Sequence, residues 1–133
     1  MIKTGNYIKN YLLIWGLLTL LLPSVSYSQS TKKATPESFK KEVVGKTFYG
    51  DRGLKIKIMS DGYFVGQVNS SKDGTKRIIN GSWTFNKEKG WCRNMVMTNP
   101  AKGLTAPRGR ECQSVLHKGK GVIIVNGATW KTQ

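Results

Sequence analysis

A chain of 133 residues carries 22 lysines and arginines against 7 aspartates and glutamates, a net charge of +15, with one histidine and two cysteines. That stock suits a single domain with one modest core, and it leaves acid–base catalysis and metal binding short of the residues they need. The excess of cations attracts anionic surfaces whatever the fold.

The first residues read as a secretory signal peptide, residues 1–28. Lys3 and Lys9 form a cationic start, Tyr11 to Leu22 an apolar run broken by Pro23, and Ser26 and Ser28 the small residues before a cut after Ser28. A cut after Ser26, with Ser24 and Ser26 as the small residues, fits the same pattern, and the cut after Ser28 is preferred. The apolar run is shorter than the roughly 20 residues of a spanning helix, which argues against an anchor. No cysteine follows it closely to carry a lipoprotein lipid. Gln29 to Thr35 is polar and basic with nothing to bury, so a disordered leader is expected there.

The folded domain is expected over residues 36–133. Thr35-Pro36-Glu37 has the chemistry of a helix start: a hydroxyl N-cap, proline at the first helical position, an acid in the first turn. Phe39, Val43 and Val44 then share one side of a short helix ending near Gly45, which would hold only by packing on a sheet. From Lys46 the apolar period becomes two. Leu54, Ile56 and Ile58 alternate with Lys55 and Lys57, and Tyr63 to Val68 returns after the turn Ser60-Asp61-Gly62. Ile79, Gly81, Trp83 and Phe85 share a face of a third strand, with Gly81 suited to a bend or bulge. After Trp91 to His117 come a turn at Lys118 to Gly121, a buried strand Val122 to Val125, an Asn126-Gly127 hairpin of type I′ and a last strand. The fold class is therefore all-β: about seven or eight antiparallel strands in a small barrel or sandwich with one short N-terminal helix.

Two cysteines in an exported chain predict one disulfide, Cys92 to Cys112, worth roughly 3 kcal/mol in the chain-entropy model. If the strands stopped short of the loop Asn99 to Arg110, the two cysteines would lie about 20 Å apart at strand rise, beyond the roughly 7 Å a disulfide tolerates. Either the two strands are not ladder neighbours along their full length, or, as is expected here, they run on into a hairpin with its tip near Lys102-Gly103, setting Thr98 opposite Ala106.

Candidate chemistry is sparse. Ser114, Cys112 and His117 imitate a nucleophile and base without an orienting acid, and Cys112 serves better in the disulfide, so no catalytic residue is assigned. Met95, Met97 and His117 have the softness of a copper(I) site, but the methionines fit better as core filler beside Trp83 and Trp91, so no metal or other cofactor is assigned. The best site is the stapled loop with Lys102, Arg108 and Arg110. Together with Arg93, its arginines could form a fork for carboxylate or phosphate.

The motifs GKTFYG, DGYFVGQV, NGSWTF, GWCRNMVMT, RECQSV and NGATW together resemble small exported bacterial proteins of unknown function. That resemblance implies a lipocalin-like or half-barrel fold in the periplasm and names no activity. A further similarity, to small disulfide-bonded β-barrel inhibitors of periplasmic metalloproteases, implies an inhibitory trunk at Gln29 to Thr35. The reading these features favour is a monomeric, non-enzymatic, periplasmic or secreted binding module for an anionic or amphiphilic envelope component, a lipid head group or polysaccharide. A protease inhibitor with a protein partner is the alternative. Export argues against nucleic acid as the physiological partner.

Overall fold

The two-residue alternation from Thr47 onward becomes one continuous antiparallel sheet. A computed structural model describes residues 30–133, so the signal-peptide reading of residues 1–28 lies outside the described residues. Along the described chain come β1 (Lys32–Lys33), α1 (Pro36–Glu42), β2 (Thr47–Tyr49), β3 (Lys55–Ile58), β4 (Tyr63–Asn69), β5 (Lys76–Asn86), β6 (Gly90–Asn99), β7 (Leu104–Gln113), β8 (Val115–Gly119), β9 (Val122–Val125) and β10 (Ala128–Lys131). The ten strands lie in the order β1-β8-β9-β10-β2-β3-β4-β5-β6-β7 and curl into a half-barrel. Only Ser114 separates β7 from β8, so one bend carries the chain from one end of the sheet order to the other.

The all-β class with one helix is as the sequence implies, and the strand count exceeds the expected seven or eight because Ser114 splits one strand and because β1 exists. The leader is the correction. Lys32 and Lys33 pair with His117 and Leu116, Ala34 donates its N–H to the Val115 carbonyl at 2.9 Å, and the Ala34 side chain is buried. Free backbone groups on the outer edge of β8 select this pairing, a cause that side-chain periodicity does not register.

The helix forms where its caps dictate. Thr35 and Ser38 make a reciprocal capping box, the Ser38 N–H donating to Thr35 Oγ1 at 3.1 Å and the Thr35 N–H to Ser38 Oγ at 2.8 Å. Seven residues cannot stand as an isolated helix. Packing holds this one: Phe39 stacks on Phe85 and Trp83 with ring centroids 4.6 and 5.5 Å away, and Val43 is wholly buried. The concave side of the sheet supplies the rest of the core, with Phe48, Ile56, Ile58, Phe64 and Trp91 at 0 or 1% exposure.

Gly81 serves that core differently from the bend the sequence suggests. It sits in unbroken register between Phe64 and Met95, and a β-carbon there would run into the Asn94 backbone and crowd the Phe64 ring. The glycine permits close approach of two strands under an aromatic ring.

The disulfide joins Cys92 to Cys112 directly across β6 and β7. At this root the register is the one the staple argument demands. Toward the tip it slips by one residue, so that Thr98 faces Thr105 and Ala106 faces Met97. The slip is a bulge in which Arg108 and Gly109 together oppose Met95, with Gly109 at φ 71°.

Candidate functional site

Side chains alternate faces along a strand, and an extra residue on one strand reverses the alternation beyond it. That rule decides where the four sequence-derived site residues stand. Arg93, Met95 and Met97 share the concave face of β6, in register with Trp83, Gly81 and Ile79 of β5. Arg110 faces Asn94 and so lies on the outer face. Without the bulge Arg108 would join it there. The bulge turns Arg108 inward, and its Nη2 reaches Met97 Sδ at 3.5 Å. Arg93 and Arg108 are thus brought to one side of the sheet, Arg110 is not, and a fork of all three is not assembled. Lys102 is exposed in the tip turn, where its N–H donates to the Asn99 carbonyl.

Arg93 is deeply placed. Its side chain keeps 11% exposure, its guanidinium lies 4.9 Å from the centre of the Trp91 ring, and Nη2 is 3.6 Å from the Glu111 carboxylate. Burial lowers the guanidinium's pKa from its ordinary value, opposed by Glu111. Nη1 is buried with no hydrogen-bond partner and rests in the environment of the indole.

Two connected depressions open on this side. One, of about 340 Å³, has Leu54, Val68, Ile79, Met95, Met97 and Trp130 as an apolar floor, with Arg52 and Arg93 among its walls. The other, of about 250 Å³, shares Arg52, Val68 and Met97 and adds Lys72, Arg77 and Arg108. Four of the five arginines in the chain therefore line one trough. They are not equivalent. Arg77 is held by Asp73 at 3.2 Å, and the Asp73 carboxyl is kept well below the usual carboxylate range by hydrogen bonds from Thr75 and then by Arg77. Arg93 is engaged by Trp91 and Glu111. Among the described residues, Arg52 makes no salt bridge or side-chain hydrogen bond, and Arg108 has only the Met97 sulfur.

Sequence reasoning missed Arg52 and Arg77. The signal for Arg52 is in the chain: it and Gly53 form a two-residue hairpin loop with φ of 54° and 64°. Type I′ loops demand two left-handed residues and favour Asn-Gly, as at Asn126-Gly127 with φ of 47° and 82°. An arginine at the asparagine position is a costly choice for a turn alone.

The other candidate constellations are dispersed. Cys112 is in the disulfide, and His117 accepts or donates at 2.8 Å to Ser38 Oγ on the helix, tying α1 to β8. Met95 and Met97 line the arginine trough while His117 lines a separate depression, so the copper trio is not brought together. Compared with protein-family models, curated proteins and solved structures, the chain gives no match.

Proposed function

We propose that the chain is an exported, non-enzymatic binding module for an anionic amphiphile of the cell envelope, taken up in the arginine-lined trough. The observation that carries this reading is the pair Arg52 and Arg108, free of acidic partners, flanking a floor of Val68 and Met97. A negatively charged head satisfies the guanidinium donors while an aliphatic tail covers the methionines and Trp130, each end of the ligand meeting its own chemistry. Methionine adapts to tails of differing shape. The depression of about 340 Å³ falls in the lower range of small-molecule sites. The disulfide and the apolar N-terminal run support export.

Titration of a medium-chain fatty acid and of the alcohol with the same tail, read by tryptophan fluorescence, tests the reading. The acid should bind at least about tenfold more tightly than the alcohol, the scale of one charge-assisted hydrogen bond. Arg108→Ala and Arg52→Ala should each remove about that margin, and added salt should weaken the acid alone. Equal binding of acid and alcohol, or indifference to both substitutions, would overturn it.

A further inference from the structure

At the opposite rim of the half-barrel a second cationic surface has a different composition. The turn between β8 and β9 is Lys120-Gly121, again a two-residue loop with both residues left-handed, φ 54° and 72°. Lys120 stands where asparagine is the unstrained choice, as Arg52 does at the other end. Three depressions meet at Lys120. The first, of about 690 Å³, also has Lys32, Lys33 and Lys118 on its wall; the second, of about 600 Å³, Lys118 and Lys131; the third, of about 460 Å³, Lys46. No arginine lines any of them. Glu42 and Asp51 are the acids present, and Glu42 is taken up by Lys46 at 3.7 Å. Among the described residues Lys32, Lys33, Lys118, Lys120 and Lys131 have no acidic partner.

We propose that the rim centred on Lys120 is a binding surface for a linear acidic polysaccharide. Lysine is a point charge on a flexible stem, able to follow anions spaced along a mobile chain, where arginine's planar fork selects a single head group. Three contiguous grooves radiating from one cation give such a chain a path longer than one monosaccharide. Hydroxyls of Thr47 and Thr129 border the path and suit sugar hydroxyls, while those of Thr35, Ser38 and Thr132 beside them are held by the helix cap, His117 and the Gly121 carbonyl. Among the described residues the aromatic rings along it are Tyr49 and His117, in separate grooves and the latter held by Ser38, too few for the successive base stacking on which single-stranded nucleic acid depends. The large exposed apolar side chains, Tyr63, Val65 and Leu104, line none of the three grooves, so the rim lacks the apolar insertion of a membrane-binding face. This inference stands independently of the arginine trough.

A size-defined polyuronate oligosaccharide is the probe, titrated at several salt concentrations against the full chain and two variants. One is Lys118→Gln/Lys120→Gln/Lys131→Gln; the other, Lys55→Gln/Lys57→Gln/Lys87→Gln, removes the same charge from strand β3 and the β5–β6 turn. The rim variant should lower the slope of log affinity against log salt by about two, at about 0.7 per lost contact on a flexible polyanion, and the control by less than half a unit. Equal losses would show that only net charge matters and would overturn the proposal. Preference for an oligothymidylate or for anionic vesicles over the polyuronate, with the same dependence on the rim lysines, would overturn it too. Lys120→Gly gives a check that misfolding cannot imitate: glycine suits the left-handed turn, so the melting temperature should rise while polyuronate affinity falls. Unchanged affinity in that variant would remove Lys120 from the site.

Discussion

The arginine trough and the lysine rim are set on hairpin loops of one geometry, with a cation at the left-handed position of each, yet they differ in most of what surrounds that cation. At Arg52 the neighbours are Val68, Met97 and other arginines; at Lys120 they are lysines, glycine and threonine. A methionine and tryptophan floor with planar forks fits one compact amphiphile, and point charges on flexible stems along three joined grooves fit a long hydrophilic anion. Net charge alone therefore says little about a partner. What stands beneath the charge distinguishes the two ends.

The largest lever on this contrast is the disulfide. Among the described residues β7 is an edge strand, hydrogen-bonded only to β6 and exposed along almost all its length, and the covalent bond at Cys112 holds its root. Cys92→Ala/Cys112→Ala should cost about 3 kcal/mol, a fall in melting temperature of roughly 10–25 °C. Arg108 rides on β7 and Lys120 does not. Under conditions where the variant remains folded, fatty-acid binding should therefore weaken while polyuronate binding persists, and parallel loss of both would mean that the two ends are not separable. Gly81→Ala comes next, at about 2 kcal/mol of overpacking in the thermal midpoint, because the new methyl meets the Asn94 backbone rather than a yielding side chain. It lies in the shared scaffold and should lower stability without favouring either end.

How much of this contrast the sequence discloses depends on where a cause is local. The helix start is local, and Thr35-Pro36-Glu37 announces it. The disulfide is nearly so, since a distance limit and a strand rise favour one long hairpin of β6 and β7, in which Cys92 faces Cys112. The side of the sheet on which Arg108 stands is not local. One bulge residue at Gly109 inverts the parity of everything between it and the tip, so Arg108 turns to the concave face with Arg93 while Arg110, on the root side of the bulge, stays on the outer face and the expected fork is split. Lys32 and Lys33 escape for a similar reason: their pairing follows from the open edge of β8, a partner 84 or so positions away in sequence, and no periodicity marks it. Arg52 was within reach through the rule that X-Gly between alternating strands makes a type I′ loop.

Relief of the two strained turns gives a smaller and opposite effect. Arg52→Gly and Lys120→Gly each replace a left-handed cation with the residue that adopts φ near 54° freely, and each should raise stability by about 1 kcal/mol. Their binding phenotypes should cross: Arg52→Gly loses the fatty acid and keeps the polyuronate, Lys120→Gly the reverse. A stabilised Arg52→Gly that still binds fatty acid as before would reduce that arginine to a turn residue and shift the trough's work to Arg108.

The smallest expected effect is a pH dependence confined to the lysine side. His117 is drawn below its ordinary value of 6.5 first by burial, with Glu42 pulling upward and Lys46 downward. Lys32 faces it across the β1–β8 ladder, Lys118 follows it in sequence, and Ser38 meets it from the helix at 2.8 Å. A lowered folded value means that the unfolded chain binds the proton more readily, so stability is full above about pH 7 and declines as pH falls through 6.5 toward the folded value. Thermal midpoints from pH 7.5 to 5.0 should slope downward over this interval, and His117→Gln, which keeps a partner for Ser38 but cannot titrate there, should flatten the slope. Because His117 ties α1 to β8, the loosening should reach Lys32 and Lys118 before the arginine trough. Amide exchange that quickens around Ala34 and Val115 at pH 5.5, with the Arg52 and Met97 amides unchanged, is the expected pattern; uniform quickening would mean that the histidine titrates the whole fold rather than one of its ends.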